Sequence, residues 1–402
     1  MKAIFLQNAY YNVPEGRLPE YHGAVFAQEF QRRGWDAVKN VFGNPEKDIP
    51  ISPLLGVSSP EQRISPEYWR RQDCDLIVFY NGRGYSNIPV MRAIKEGSPR
   101  TKLFLKLDLP VTDTPRTPRG ILNFALWKYV AMRHGRQRNG DHDQCHPLTA
   151  LAISAKHTMR ALSSDYVRKA SSLYEYPDFV TYENENLIEP QCEWFSRHAC
   201  PDYSKKFMWL GFSVGSEFAY DGTPKKPYSV ISVANWKHAK DMPLQAAALA
   251  IAFRKNPHIT FTFIGNNSAE LEREILKREP AAATRIRRID EVSHNLLPQF
   301  LKASQVFMMC SHTEGYCSAV AEALCAGCSA ALTRGIAVPC FDVFAADGCG
   351  TQAVSRRPED MAAALLDEIN AWERGQRDPA EIAKKWSKTL AANLADLLIS
   401  KL

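Results

Sequence analysis

The sequence predicts an α/β protein of two doubly wound, parallel-sheet domains facing a central cleft. Three observations predict it. At 402 residues and 45% apolar content the chain is too long for one ordinary core and suits two of about 200 residues. Short apolar runs alternate with amphipathic stretches of helical period, the pattern of parallel strands joined by crossover helices. A stretch broken by Gly and Pro-Lys steps, 211–227, separates two such series. The expected division is a first domain over 1–205, a second over 206–378, and a terminal amphipathic helix over 379–402.

In the first series, Ala3–Gln7 reads as a buried strand that runs into a polar loop. Gly23–Gly34 then reads as a helix, with Val25, Phe26, Phe30 and Arg33 at helical spacing and Gly34 as the stop. Strands follow at Asp36–Phe42, Asp75–Tyr80 and Lys102–Leu107; the last two are apolar runs suited to strands covered on both faces. The second series predicts strands at Ser229–Ala234, Ile259–Gly265, Arg285–Ile289, Gln305–Cys310 and Ser329–Leu332. Helices are expected at Pro243–Lys255, Ala269–Arg278, Leu296–Ala303, Ser318–Ala326 and Pro358–Glu373. No internal repeat and no low-complexity tract is visible.

Fifty Lys and Arg stand against 44 Asp and Glu, a net charge of +6. The pI of 8.7 is short of the value above about 9 expected of a dedicated nucleic-acid domain. The excess is local. Residues 111–170 hold ten Lys and Arg against four Asp, which accounts for all of it. Within that segment Asn123–Met132 is rich in aromatic and aliphatic residues with cations on either side, which suits docking of an anionic membrane or a phosphate-bearing acceptor; an ordinary solvated helix face is the other reading. The opening Met1–Asn8 has only a four-residue apolar run, below the roughly 7–15 of a secretory signal. The longest apolar stretch elsewhere, Pro243–Phe253, falls short of the roughly 18 residues of a spanning helix. A cytoplasmic protein, at most peripheral on the inner face of a membrane, is expected. Ten cysteines in a chain of this size read as small buried thiols, the Cys325-Ala-Gly-Cys328 pair included.

The richest constellation is Ser311-His-Thr-Glu314-Gly315-Tyr316-Cys317-Ser318, continuing to Glu322. It follows a strand and opens a helix. Gly315 lets a ligand approach the backbone, and the first free amides of a helix carry about half a positive charge, enough to cradle a phosphate. Glu314 in the loop and Glu322 one turn into the helix could grip polyol hydroxyls on either side of a diphosphate; the bland alternative is a solvated helix start with two surface acids.

This constellation resembles the E-x7-E motif of retaining GT-B glycosyltransferases, family 4 in particular. The lead-in Leu297–Ser311 and the small-residue helix end Ala323–Gly327 look like the same family, and Gly23–Val38 is similar to its first glycine loop and helix. The resemblance covers most of the C-terminal half and the N-terminal half only weakly. It implies a GT-B fold, a terminal helix crossing back to the first domain, and transfer of a sugar, of hexosyl type, from a nucleotide diphosphate to a glycan, lipid-linked or protein acceptor. It also implies that no cofactor or metal is required. By position, Glu322 would hold the donor ribose, Glu314 the sugar hydroxyls, and the amides of Gly315, Tyr316, Cys317 and Ser318 the diphosphate. Lys240 fits the family's diphosphate Lys. The matching Arg position is Asn235, a departure, for which Lys237 or His238 is a substitute. Cys317 and Ser329 replace the family's usual Gly and Pro.

Other candidates are weaker. Asn81-Gly82-Arg83-Gly84-Tyr85 follows a strand but lacks a third glycine, so it reads as an acceptor or sugar loop rather than a nicotinamide site. Asp108 follows another strand and either touches the donor sugar or caps a turn. Asp73-Cys-Asp75 mimics a metal-binding D-x-D but enters a buried strand. Asp141–His146 holds metal-ligand types in a polar stretch that reads as a solvated loop. Two rival readings are a nucleotide-sugar epimerase of the same fold and a catalytically silent sugar-nucleotide-binding subunit.

Overall fold

The computed structural model of the chain describes residues 1–10, 23–43, 54–80, 85–107, 117–135, 145–183, 188–234, 238–266 and 268–402. Asn81–Gly84, Asp108, Asp141–Gln144 and Asn235–Lys237 lie outside them. The first half of the chain runs β1 (Lys2–Tyr10), α1 (Gly23–Arg32), β2 (Asp36–Phe42), β3 (Leu55–Ser58), α2 (Pro60–Arg63), α3 (Pro66–Gln72), β4 (Leu76–Tyr80) and α4 (Ile88–Gly97). It continues with β5 (Lys102–Leu107), α5 (Pro118–Gly135), α6 (Pro147–Leu162), α7 (Ser164–Ser171), β6 (Phe179–Tyr182), α8 (Ile188–Arg197) and β7 (Phe207–Trp209). The second half runs β8 (Ser229–Val233), α9 (Met242–Lys255), β9 (Thr260–Ile264), α10 (Ser268–Arg278), β10 (Ile286–Ile289), α11 (Leu297–Ala303) and β11 (Val306–Met309). After it come α12 (Ser318–Cys325), β12 (Ser329–Leu332), α13 (Cys340–Phe344), β13 (Gly350–Gln352), α14 (Pro358–Glu373), α15 (Pro379–Trp386) and α16 (Ala391–Ile399).

These elements pack into two compact units. The first comprises residues 1–116, 159–213 and 391–402; the second comprises 117–158 and 214–390. Each holds one parallel sheet of doubly wound order, β3-β2-β1-β4-β5-β6-β7 in the first unit and β10-β9-β8-β11-β12-β13 in the second. The fold is the GT-B pair of Rossmann-like α/β domains that the sequence predicts. In each sheet the order reverses beside the first strand, between β1 and β4 and between β8 and β11. Such a switch point leaves a crevice at the carboxyl ends of the strands.

The first sheet shows why its runs are unbroken. Alternate residues of a strand face opposite sides. Ile77 and Phe79 of β4 pack with Ile4, Leu6, Leu103 and Leu105 on one face, while Leu76, Val78 and Tyr80 pack with Phe5, Phe26, Phe30 and Phe104 on the other. Both faces are dry, so no polar alternation survives. Gly34 closes α1 at φ 79°, where Trp35 returns its amide to the Phe30 carbonyl at 3.1 Å.

Three features differ from the sequence expectation. The terminal stretch is two helices rather than one: α15 belongs to the second unit, whereas α16 packs Leu394, Ala395 and Leu398 onto Phe26 and Phe30 of the first, with Arg33 Nη2 bonded to Ala392 O at 2.9 Å. The break is a short helical turn at Ser387–Thr389, where the Thr389 hydroxyl turns back to the Trp386 carbonyl at 2.7 Å. Residues 211–227 are a packed connection, not a loose one: Phe218 is fully buried and the Tyr220 amide bonds Cys325 O at 3.0 Å. Most of the basic segment, 117–158, groups with the second unit instead of the first.

Leu398→Ala should lower the unfolding free energy by about 2–5 kcal/mol, because it leaves a cavity against Phe26 and Phe30. Urea melts read the effect; an unchanged midpoint would mean α16 is no part of that core.

Candidate functional site

The crevice of the second unit is built from the loops after β8 and β11, which are neighbours in the sheet through Val306–Val230 and Phe307–Ile231. Buried beneath, Gln245 Nε2 donates to the Ser232 hydroxyl at 2.6 Å and that hydroxyl donates to the Met308 carbonyl at 2.6 Å, which seats α9 on these two strands. Three contacts then join the loops above. The His312 amide bonds Ala239 O at 2.8 Å. Lys240 Nζ donates to Glu314 Oε1 at 2.5 Å, and the Ser311 hydroxyl donates to that same oxygen. Asp241 Oδ2 takes the Arg356 guanidinium and lies 3.3 Å from His312 Nε2.

Burial works against the Lys240 charge, but the Glu314 carboxylate beside it more than offsets that, so the ammonium pKa is raised above its ordinary value. The site therefore keeps a fixed cation at neutral pH. Asp241 sits at φ 47°, a left-handed conformation that costs a non-glycine residue about 1 kcal/mol or more. It is held by what its carboxylate does: Oδ1 caps α9 by accepting the Leu244 amide at 3.4 Å, while Oδ2 serves Arg356 and His312. Arg356 also donates to Ser311 O at 2.7 Å, so one side chain ties together both loops.

Glu314 lies in the loop, with its amide on Ala337 O at 2.9 Å. Glu322 is on α12, buried, with its Oε1 3.5 Å from His294 Nε2. Gly315 is exposed, and a Cβ there would meet nothing within 4 Å, so open space lies before the helix. Ser318 begins α12, and its N-cap residue Cys317 supplies no side-chain hydrogen bond, so the first amides keep their anion-binding capacity. The Cys317 thiol is buried and pushed up to about 12 by desolvation, which makes it an inert part of the wall.

Lys240, Glu314, Gly315, Tyr316, Cys317, Ser318 and Glu322 thus belong to one unit and two adjacent strand ends. Gly23 is the first residue of α1 in the other unit. Asn235, Lys237, Asp108, Gly82 and Gly84 fall outside the described residues. The Asp73–Asp75 pair is structural: it lies at the amino end of β4, where Asp73 ends α3 at φ 43° and Asp75 accepts the Lys2 amide at 2.7 Å. All ten cysteines are free thiols; Cys325 contacts Thr389 and Cys328 bonds the Leu301 carbonyl, so the two do not form a pair.

Several residues escaped sequence reasoning. Arg356 lies far along the chain from the loops it ties. His134 of α5 meets His238 and His312: His134 Nδ1 and His238 Nε2 are 2.6 Å apart, and the His134 and His312 rings stack at 4.0 Å. Desolvation pushes His134 and His312 down to about 4, so both rings are neutral at pH 7. In the first unit, buried Arg63 crosses the carboxyl ends of β1–β3, bonding Gln7 O at 3.0 Å, Asn40 Oδ1 at 2.9 Å and Ser58 Oγ at 2.7 Å. Lys106 of β5 and Glu183, the residue after β6, form a buried pair at 2.9 Å. The only available signal was a cation inside an otherwise apolar strand, Lys106.

Residues 216–386 match the family model of glycosyl transferases group 1, almost the whole span of the second unit after 214. That unit is therefore similar to a domain of this family, and the chain as a whole has the GT-B fold. Solved structures agree on the fold. Anabaena HepE in complex with UDP aligns at TM-score 0.59 and 11% identity, covering 100% of this chain and 99% of its own. An E. coli structure, trehalose-6-phosphate bound with UDP-2-fluoro glucose, aligns at 0.58 and 13%, covering 100% and 98%. The lipopolysaccharide outer core galactosyltransferase WaaB in its apo form aligns at 0.57 and 11%, covering 100% of both chains. No curated protein matches the sequence.

Arg356→Met removes the tie among Asp241, Ser311 and Cys310 and leaves a strained Asp241 without its main partner. Stability should fall by about 1–3 kcal/mol, and amide exchange at residues 238–241 and 311–314 should quicken. Wild-type exchange in both loops would show that Arg356 is not what holds them.

Proposed function

We propose that the chain is a glycosyltransferase that moves a hexose from a nucleotide diphosphate to a glycan, lipid-linked or protein acceptor, with retention at the anomeric carbon and without a metal. The observation that carries this is the convergence of Lys240, Glu314 and the start of α12 at one crevice, within the stretch that matches the group 1 family. Departure of a nucleoside diphosphate concentrates negative charge on the phosphate oxygens. A lysine held protonated by a carboxylate, together with helix-start amides, stabilises that charge more in the transition state than in the ground state. This supplies the electrostatic role a divalent cation would otherwise play.

Glu322, set one turn into α12, is assigned the donor ribose, and Glu314 the sugar hydroxyls. Asn235 and Lys237 are assigned the diphosphate side of the loop after β8. Gly23, Gly82, Gly84 and Asp108 are assigned to the sugar or acceptor. Anabaena HepE is solved with UDP and with UDP-glucose, which makes uridine donors the first to try. Steady-state donor hydrolysis with UDP-glucose, UDP-galactose and GDP-mannose should show turnover for at least one. Lys240→Met should reduce kcat by about 100-fold or more. Glu322→Ala should raise the donor KM by about tenfold or more, the loss of a charge-assisted hydrogen bond. Full turnover by Glu322→Ala would remove the ribose assignment.

The acceptor side of the same proposal is a cytoplasmic enzyme peripheral on an anionic membrane. No helix among the described residues is long and apolar enough to cross a membrane. Yet α6 turns Leu148, Leu151, Met159 and Leu162 outward alongside Lys156 and Arg160, and α5 exposes Leu122 and Leu126. Neither helix contains an acidic residue. An exposed apolar stripe bordered by cations suits shallow insertion among anionic headgroups. Phosphatidylglycerol vesicles should co-sediment the protein at low salt, and Leu148→Glu with Leu151→Glu should release it. Equal recovery with neutral phosphatidylcholine vesicles, or none with either, would remove this part.

A further inference from the structure

The three histidines beside the crevice come from three separate segments. His134 is in the last turn of α5, His238 follows β8, and His312 follows β11. Each offers one ring nitrogen, and these atoms lie within 4.8 Å of one another. From this convergence we infer that His134, His238 and His312 form a binding site for a borderline divalent transition metal, Zn2+, Co2+ or Ni2+, which latches α5 onto the two loops of the crevice.

The donor set selects the ion class. Three imidazole nitrogens suit zinc, cobalt, nickel and copper, whereas Mg2+ and Ca2+ take oxygen ligands. Zinc sites with three histidines leave a fourth position for water or another ligand. With metal–nitrogen bonds of about 2.0–2.1 Å in tetrahedral geometry, two donors on one ion lie about 3.3–3.4 Å apart. The 2.6 Å between His134 and His238 must widen by somewhat under an ångström, and a pair as far apart as 4.8 Å must close by about 1.4 Å, shifts within reach of side-chain rotation. An outer partner is in place as well. Asp241 Oδ2 lies 3.3 Å from His312 Nε2, the carboxylate–imidazole arrangement that orients a ligating ring. Two guanidiniums act on these rings: Arg133, which donates to the Cys145 carbonyl at 2.9 Å, and Arg356, which is itself paired with Asp241, a pairing that limits its repulsion of a cation.

The latch is separate from the proposed sugar transfer. Neither Lys240 nor Glu314 is among its ligands, and its ion is given no part in neutralising the diphosphate. What it would do is fix α5, which carries the outward Leu122 and Leu126, against the loops that hold Lys240 and Glu314. Without the ion, ring stacking and one imidazole–imidazole hydrogen bond join His134 to the two loop histidines.

The test uses the full chain, free of any affinity tag and stripped with chelator, titrated with Co2+ and followed by visible absorption and by melting temperature. Stoichiometric binding with ligand-field bands of a four- or five-coordinate ion is expected, with displacement by Zn2+ and no effect of Mg2+. His134→Ala should weaken binding about tenfold or more. His134→Cys restores a ligand and should bind with a new thiolate-to-cobalt charge-transfer band relative to wild type; it also carries the test should His134→Ala not fold. Absence of stoichiometric binding by wild type, undiminished affinity in His134→Ala, or no new band in His134→Cys would each overturn the site.

Discussion

The ion pair between Lys240 and Glu314 is the constraint on which the crevice of the second unit depends. A part-buried ammonium needs a close counter-charge, since desolvation by itself lowers its pKa. Pairing keeps it charged and fixes where both loops run. Neighbouring strands β8 and β11 bring the loops side by side, and the sheet order that reverses between them leaves their ends uncovered. Everything else in the crevice elaborates that placement. Asp241 accepts a strained backbone because its carboxylate caps α9 and engages Arg356 at once. Arg356 in turn holds the Ser311 and Cys310 carbonyls, so the segment leading to Glu314 is fixed from below.

On the proposed function, this arrangement lets the site receive an anion while presenting a carboxylate to it. Glu314 compensates Lys240 in the ligand-free state, where an isolated cation would be costly. A sugar diphosphate would supply its own negative charge to Lys240 and hydroxyls to Glu314, so both partners of the pair exchange one set of contacts for another. The amides of α12 add positive potential with no desolvation penalty for a side chain.

Much of this was legible in the sequence, for physical reasons. A strand covered on both faces needs a continuous apolar run, so β4 and β5 were readable; the helices of the second unit follow amphipathic periods. Glu314 and Glu322 were readable because a loop and the helix it enters are contiguous in sequence. What escaped depends on contacts between distant segments. The three residues of β13 and the three of β7 are too short to carry a period. Arg356 reaches Asp241 across 115 positions and His134 reaches His238 across 104, and nothing local marks either. The terminal apolar period continued through residues 387–390, so the turn that separates α15 from α16 was invisible until Thr389 was seen bonded to Trp386.

A double-mutant cycle tests the central claim most directly. Wild type, Lys240→Met, Glu314→Gln and the double variant would be titrated calorimetrically with UDP, GDP and ADP. If the pair organises the diphosphate site, at least one nucleotide binds wild type, Lys240→Met weakens it, and the two effects are coupled by about 1 kcal/mol or more. Wild-type affinity for that nucleotide in Lys240→Met, or strictly additive effects across the cycle, would contradict the account.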